Sequence, residues 1–119
     1  MNLTSQQEKE LESFLGCTIE QLFRKFSSED KGITTKTIKR HFQTHKRCFQ
    51  VNGAIDWLIA NSKINLRELA VRVGELFTLH GYIRPVGSKS KKFRAHSSSY
   101  FTISGDEEIT VEYHFHSYD

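Results

Sequence analysis

The stretch CFQVNGAIDWLIAN, from Cys48 to Asn61, holds the chain's only tryptophan, set between a turn signal and a run of aliphatic side chains. Asn52-Gly53 is a turn dipeptide and breaks the chain at that point. Beyond it Ile55, Leu58 and Ile59 recur at i, i+3 and i+4, which predicts a short helix over Ala54–Ala60 with Trp57 on its flank. An indole beside two aliphatic residues reads as a core anchor that buries on the order of 200 Å². Phe49 and Leu58 read as anchors with it, and Asp56 near the helix start suits the helix dipole. The competing reading of Trp57, an exposed hot spot for a partner, fits its apolar neighbours less well. If this segment is scaffolding, the chemistry lies elsewhere.

Helical signals flank it on both sides. Downstream, Asn65-Leu66-Arg67-Glu68 has the form of a capping box, and Leu66, Leu69, Ala70, Val73, Leu76 and Phe77 make the expected buried stripe, with Gly81 as the stop. Upstream, Ser5–Glu8 is a second box followed by Leu11, Phe14, Leu15 and Gly16. Thr18–Gln21 is a third, leading into the stripe Ile19, Leu22, Phe23, Phe26, which should end at the polar SSEDKG. Between Ile33 and Val51 the residues are rich in β-branched types, although Ile38 and Phe42 sit at helical spacing; we read an irregular β-arm. YIRPVG and SYFTI read as two short strands around the basic loop SKSKKFRAHSS, and Pro85 requires its strand to lie at an edge. EEITVEYHFH alternates apolar and polar residues as a half-buried strand does. No repeat and no linker divides the chain. The expectation is one domain over 1–119, with N-terminal helices at 1–30, a central module at 31–103 and a C-terminal strand at 104–119.

Composition narrows the class. At 119 residues and 37% hydrophobic content the chain can bury a core and is too apolar for disorder. No run of about 18 apolar residues would span a membrane, and the N-terminus lacks the basic start and apolar stretch of a secretory signal. Cys17 and Cys48 have no partner pattern and read as reduced thiols of an intracellular, cytoplasmic protein. The charge is uneven. Residues 1–30 carry three basic and six acidic groups, 31–94 fourteen and three, and 95–119 none and five, hence −3, +11 and −5, which together give the net +3. Such a basic middle suggests a positive face, which favours phosphate-bearing partners.

Catalytic chemistry finds no support. Cys48 has His45 three residues away but no orienting third group or oxyanion site. His41 with His45, and His114 with His116, lack the paired cysteines or the intervening glutamate of specific zinc motifs, so no metal or other cofactor is expected. There is no glycine-rich phosphate loop, and the carboxylates cluster at the two ends. The remaining candidates are basic. Lys89, Lys91, Lys92 and Arg94 surround Phe93 in the loop, with Arg84 just before it; Lys36, Lys39, Arg40, Lys46 and Arg47 belong to the arm. A ring among lysines at a loop tip suits an anionic membrane, with the ring entering the interface. The same set suits DNA phosphates or an acidic protein patch.

Helices beside a β-hairpin with a basic tip describe an α+β, winged-helix arrangement: a three-helix core, a β-arm and a C-terminal hairpin wing, plus the N-terminal helix and the C-terminal strand. From Gly32 to Ile103 the chain resembles the DEP domains, winged-helix modules of signalling proteins, and the pleckstrin-type members in particular. The resemblance rests on CFQVNGAIDWL, on the helix ending LHGYIRPV, on the aromatic pair of SSSYFTI, and on KGI with IEQLFRKF ahead of it. One departure is Val51, where the family has glycine; here Gly53 stands two places later. The resemblance implies a non-catalytic adaptor that targets its protein to an anionic phospholipid surface or a membrane-bound signalling protein, as a peripheral membrane protein. Alternatives are a pure protein–protein module, pairing through the arm or the edge of EEITVEYHFH, and a winged-helix nucleic-acid binder. The last is disfavoured because Glu68 and Glu75 share the exposed face of the third core helix with Arg67, Arg72 and Thr78.

Overall fold

A computed structural model describes residues 5–40, 42–87 and 92–104. In chain order the elements are α1 (Ser5–Leu15), α2 (Ile19–Phe26), β1 (Lys36–Arg40), β2 (Gln43–Gln50), α3 (Val51–Asn61), α4 (Arg67–Leu79), β3 (Ile83–Pro85) and β4 (Tyr100–Ile103). The strands form one antiparallel sheet in the order β1-β2-β4-β3. β1 and β2 are the arm, β3 and β4 the wing, and α2, α3 and α4 pack as the helical core of an α+β winged helix. Among the described strands β3 lies at the edge, which is where Pro85 can sit without a missing ladder bond. The strand expected over EEITVEYHFH lies outside the described residues.

The α1–α2 corner is held by side chains satisfying orphan backbone amides. Gly16 takes φ +77° after α1, a conformation that favours glycine. Thr18 then makes the capping box its sequence promised: its Oγ1 accepts from Gln21 N at 3.0 Å, while Gln21 Oε1 accepts from Thr18 N at 2.9 Å. Glu12 on α1 adds a carboxylate oxygen 2.6 Å from Ile19 N, which also suits the positive end of α2. After α2 the chain turns at Ser28–Gly32. The Ser28 hydroxyl meets Asp30 Oδ1 at 2.7 Å and holds that carboxyl below its usual range.

α4 ends in a Schellman turn: Tyr82 N donates to Phe77 O and Gly81 N to Thr78 O, with Gly81 at φ +78°. The same turn starts the wing, because Ser104 N returns to Tyr82 O.

The core is built around Phe26, which is wholly buried. Its ring meets Phe49 of β2 at 5.3 Å and Trp57 of α3 at 5.3 Å, both edge-on, Phe77 of α4 at 5.4 Å, and Phe23 at 6.0 Å. Phe49 and Leu58 are buried as expected. Trp57 packs edge-on against Phe26 while its outer side remains partly exposed, so it anchors the flank of the core.

Several local expectations fail, and at the start of α3 a tertiary contact supplies what a local signal would have. Asn52-Gly53 does not break the chain; both residues lie in the first turn of α3, which begins directly at Val51. Its first amides find carbonyls of the wing: Val51 N donates to Ser99 O and Asn52 N to Ser97 O. The box at Asn65 does not form. α4 starts at Arg67 behind Leu66, with no side-chain cap, and Leu66 is exposed instead of joining the stripe. Arg67 is drawn to α3, where its guanidinium meets Asp56 Oδ1 at 3.0 Å and Asn52 Oδ1 at 3.3 Å. Ser5 is helical rather than a cap, and Glu8 faces His80 across the α1–α4 seam at 3.0 Å. Phe14 is half exposed, standing about 100° around α1 from the buried Leu15.

Two stability outcomes follow. Phe26→Ala should cost about 4 kcal/mol in urea unfolding, because four aromatic partners surround the space it would leave. Gly53→Ala should stabilise by about 0.5 kcal/mol, since a Cβ there meets nothing within 4 Å and the residue is helical without a positive φ.

Candidate functional site

The arm owes its shape to one irregularity. Lys36 pairs with Cys48 and Ile38 with His45, so Lys46 and Arg47 together stand opposite Thr37. That is a β-bulge, and Arg47 takes φ +56° within it. The bulge turns Arg47 towards the helices, where its Nη2 donates to Ser27 O at 2.6 Å. β4 meets β2 only at Cys48–Gln50, whereas β1 follows β2 to the tip. Beyond the bulge the arm is therefore a two-stranded ribbon among the described residues.

Lys36, Lys39, Arg40 and Lys46 are exposed on this arm. Lys36 Nζ lies 5.1 Å and the Arg40 guanidinium 5.4 Å from the centre of the Tyr100 ring, so two arm cations converge on the first residue of β4. From Lys31 to Ile55 the chain holds no aspartate or glutamate. The described ion pairs Arg24–Glu20, Arg67–Asp56 and His80–Glu8 all lie among the helices. An arm with cations and no carboxylates of its own projects a positive potential. An open groove of about 530 Å³ runs beside it, lined in part by Ile33, Lys36, Gly53, Trp57 and Tyr100.

The wing differs from its sequence expectation. Phe93 is not a ring at a loop tip; it is 3% exposed, edge-on to Phe101 at 5.5 Å. It lies over Gly74 of α4 so closely that a Cβ there would clash with its Cε1 and Cδ1. The apolar ring latches the wing onto the core and is withdrawn from any membrane interface. Lys92 and Arg94 on either side of it are exposed. Arg84 is part-buried on β3 opposite Thr102. Lys89, Lys91, His41, His114 and His116 lie outside the described residues, and His45 is half-buried on β2.

Two residues at this surface were not singled out by sequence. Tyr100 gathers arm cations, which needs knowledge of the β2–β4 pairing. Phe42, at the arm tip, is the most exposed of the large hydrophobic residues described.

The family model of the domain found in Dishevelled, Egl-10 and Pleckstrin matches residues 32–103, from the turn before the arm to the end of β4. The chain belongs to the DEP family. Human pleckstrin is 27% identical over 70 residues, and rat pleckstrin 26% over 70; in both, the match covers 59% of this chain and 20% of the relative. The chain thus spans about a fifth of the length of these curated relatives. A multidimensional NMR structure of the human pleckstrin DEP domain superposes with a TM-score of 0.61 at 19% identity, covering 71% of this chain and 99% of that one. A solution structure of the human pleckstrin DEP domain gives 0.64 at 16% identity, with 89% and 83% covered. DEP domains are signalling modules, and this chain is one by fold and by family. No helix among the described residues is long and apolar enough to cross a membrane.

The wing latch is open to test. Gly74→Ala should cost about 2 kcal/mol, because the wing cannot reseat Phe93 without moving backbone. Proteolysis should then cut first within 86–99 in the variant, ahead of global unfolding.

Proposed function

We propose that this DEP domain is a non-catalytic docking module that brings the protein carrying it to an anionic membrane surface or to a membrane-bound partner. The observation that carries this is the arm: exposed Lys36, Lys39, Arg40 and Lys46 on one hairpin, with no carboxylate in the sequence from Lys31 to Ile55. Each such cation near an anionic leaflet contributes about 1 kcal/mol, enough for several to hold a small domain reversibly. Lys92 and Arg94, with Lys89 and Lys91 of the same loop, form a second basic group that would add to the long-range attraction.

The recognition-helix position argues against nucleic acid. Arg67, at the start of α4, is engaged with Asp56 and Asn52, and Glu68 beside it is exposed where a base-reading helix would present donors. The groove beside Tyr100 favours a second reading within the same surface: a membrane-bound protein that places an apolar side chain against Trp57 and an acidic one near Lys36.

Sedimentation with vesicles containing phosphatidylserine is the direct test. The domain should bind, lose affinity steeply with salt, and bind about a hundredfold less well after reversal of Lys39 and Arg40 to glutamate. Arg47→Gln should weaken binding less than either reversal, since that guanidinium faces Ser27 O. Salt-insensitive binding, or binding indifferent to the Lys39 and Arg40 reversals, would defeat the membrane reading. A pull-down that survives those reversals but fails on Tyr100→Ala would favour the protein partner.

A further inference from the structure

Resting on the reading of the arm as a membrane-docking element, we infer that Phe42 is its inserting residue. The Phe42 ring enters the acyl boundary of an anionic bilayer, and Lys39 beside it, with the other exposed cations of the arm, meets the headgroup phosphates.

The first ground is exposure. Phe42 has a relative accessibility of 110%, against 50–62% for Phe14, Leu66 and Leu79, which all lie on or beside helices. Among the described residues its ring belongs to no part of the core cluster.

The second ground is the turn. Arg40 pairs with Gln43, which leaves a two-residue connection between the arm strands, and Phe42 is its second residue with φ +64°. Hairpin connections of that length call for Asn or Gly where φ is positive, because a bulky side chain is strained there. A phenylalanine at this point disfavours folding locally and adds no core contact. Violations of local rules of this kind collect at functional sites.

The third ground is the surrounding charge. The cations flank the ring on both strands, and the nearest carboxylates in sequence are Asp30 and Asp56, well outside the arm. A polar, positive collar below a single apolar ring matches the layering of a leaflet, in which phosphate lies above the acyl boundary by about 5–10 Å. The shape of the tip selects the partner. A convex turn with one projecting ring can be enclosed by a deformable bilayer on all sides, whereas a protein would need a pocket made to receive it. Phe93, buried on Gly74, cannot take this role.

Phe42→Gly tests the inference without endangering the fold, because glycine accepts the positive φ that phenylalanine resists. Its unfolding midpoint should match or exceed that of the wild type. On vesicles of phosphatidylcholine with about a third phosphatidylserine, its binding should fall about tenfold, while the slope of affinity against salt stays the same because no cation is lost. Phe42→Trp should restore binding, and brominated acyl chains should quench its emission more than they quench wild-type Trp57. Equal vesicle binding by Phe42→Gly and wild type, or no added quenching in Phe42→Trp, would overturn the insertion and leave the docking reading standing. A lower unfolding midpoint in Phe42→Gly would also overturn it, by showing that the ring packs within the domain. If wild type binds no anionic vesicle, the docking reading itself falls. Loss of capture by immobilised polyglutamate with vesicle binding intact would assign the ring to a protein contact and overturn the proposal.

Discussion

The buried ring of Phe26 is the contact on which the rest of the domain is organised. It sits at the last position of α2, outside the matched family residues, yet it touches β2 through Phe49, α3 through Trp57 and α4 through Phe77. Aromatic pairs at 5–6 Å in edge-on or tilted geometry carry directional preference beyond area burial. They therefore orient three elements about one point. Because Phe49 is on the strand that continues into the arm, the hub also sets where the arm leaves the core. The partly exposed side of Trp57 is a consequence: with one edge against Phe26, its other side borders the groove next to Lys36 and Tyr100.

Around this core the two hairpins have opposite roles. The wing faces inward. Phe93 occupies the space that Gly74 leaves on α4, and wing carbonyls at Ser97 and Ser99 receive the first amides of α3. The wing is thus part of what caps and holds the helical layer. The arm faces outward. Beyond the bulge at Lys46 and Arg47 it keeps contact with the core through Arg47 and Tyr100, and it presents cations with a single apolar ring at its end.

The arm and the wing were both legible as hairpins, and the concentration of basic residues on them was plain, because turn residues, β-branching and charge runs are local properties. The capping box at Thr18 was legible for the same reason. The box at Asn65 and the break at Asn52-Gly53 misled because a stronger non-local partner was available: Asp56 and Asn52 for Arg67, and the wing carbonyls for the start of α3. Gly74 carried a usable signal. A glycine inside a helical stripe costs about 1 kcal/mol relative to alanine and asks for a close approach. The sequence does not say which ring makes that approach, and Phe93 lies nineteen positions away.

Sequence alone determined the winged-helix class, the buried status of Phe49 and Leu58, the DEP family and the concentration of positive charge between Lys31 and Arg94, since each depends on residue type and spacing along the chain. Which aromatic ring faces solvent was decided only by tertiary structure. Phe42 and Phe93 are both phenylalanines among lysines and arginines in hairpin loops, and composition cannot separate them. The difference is that α4 offers a glycine-lined seat within reach of the wing, while the Phe42 ring at the tip of the arm is fully exposed. Burial is a property of what comes to lie opposite, and that is fixed by the packing of distant segments.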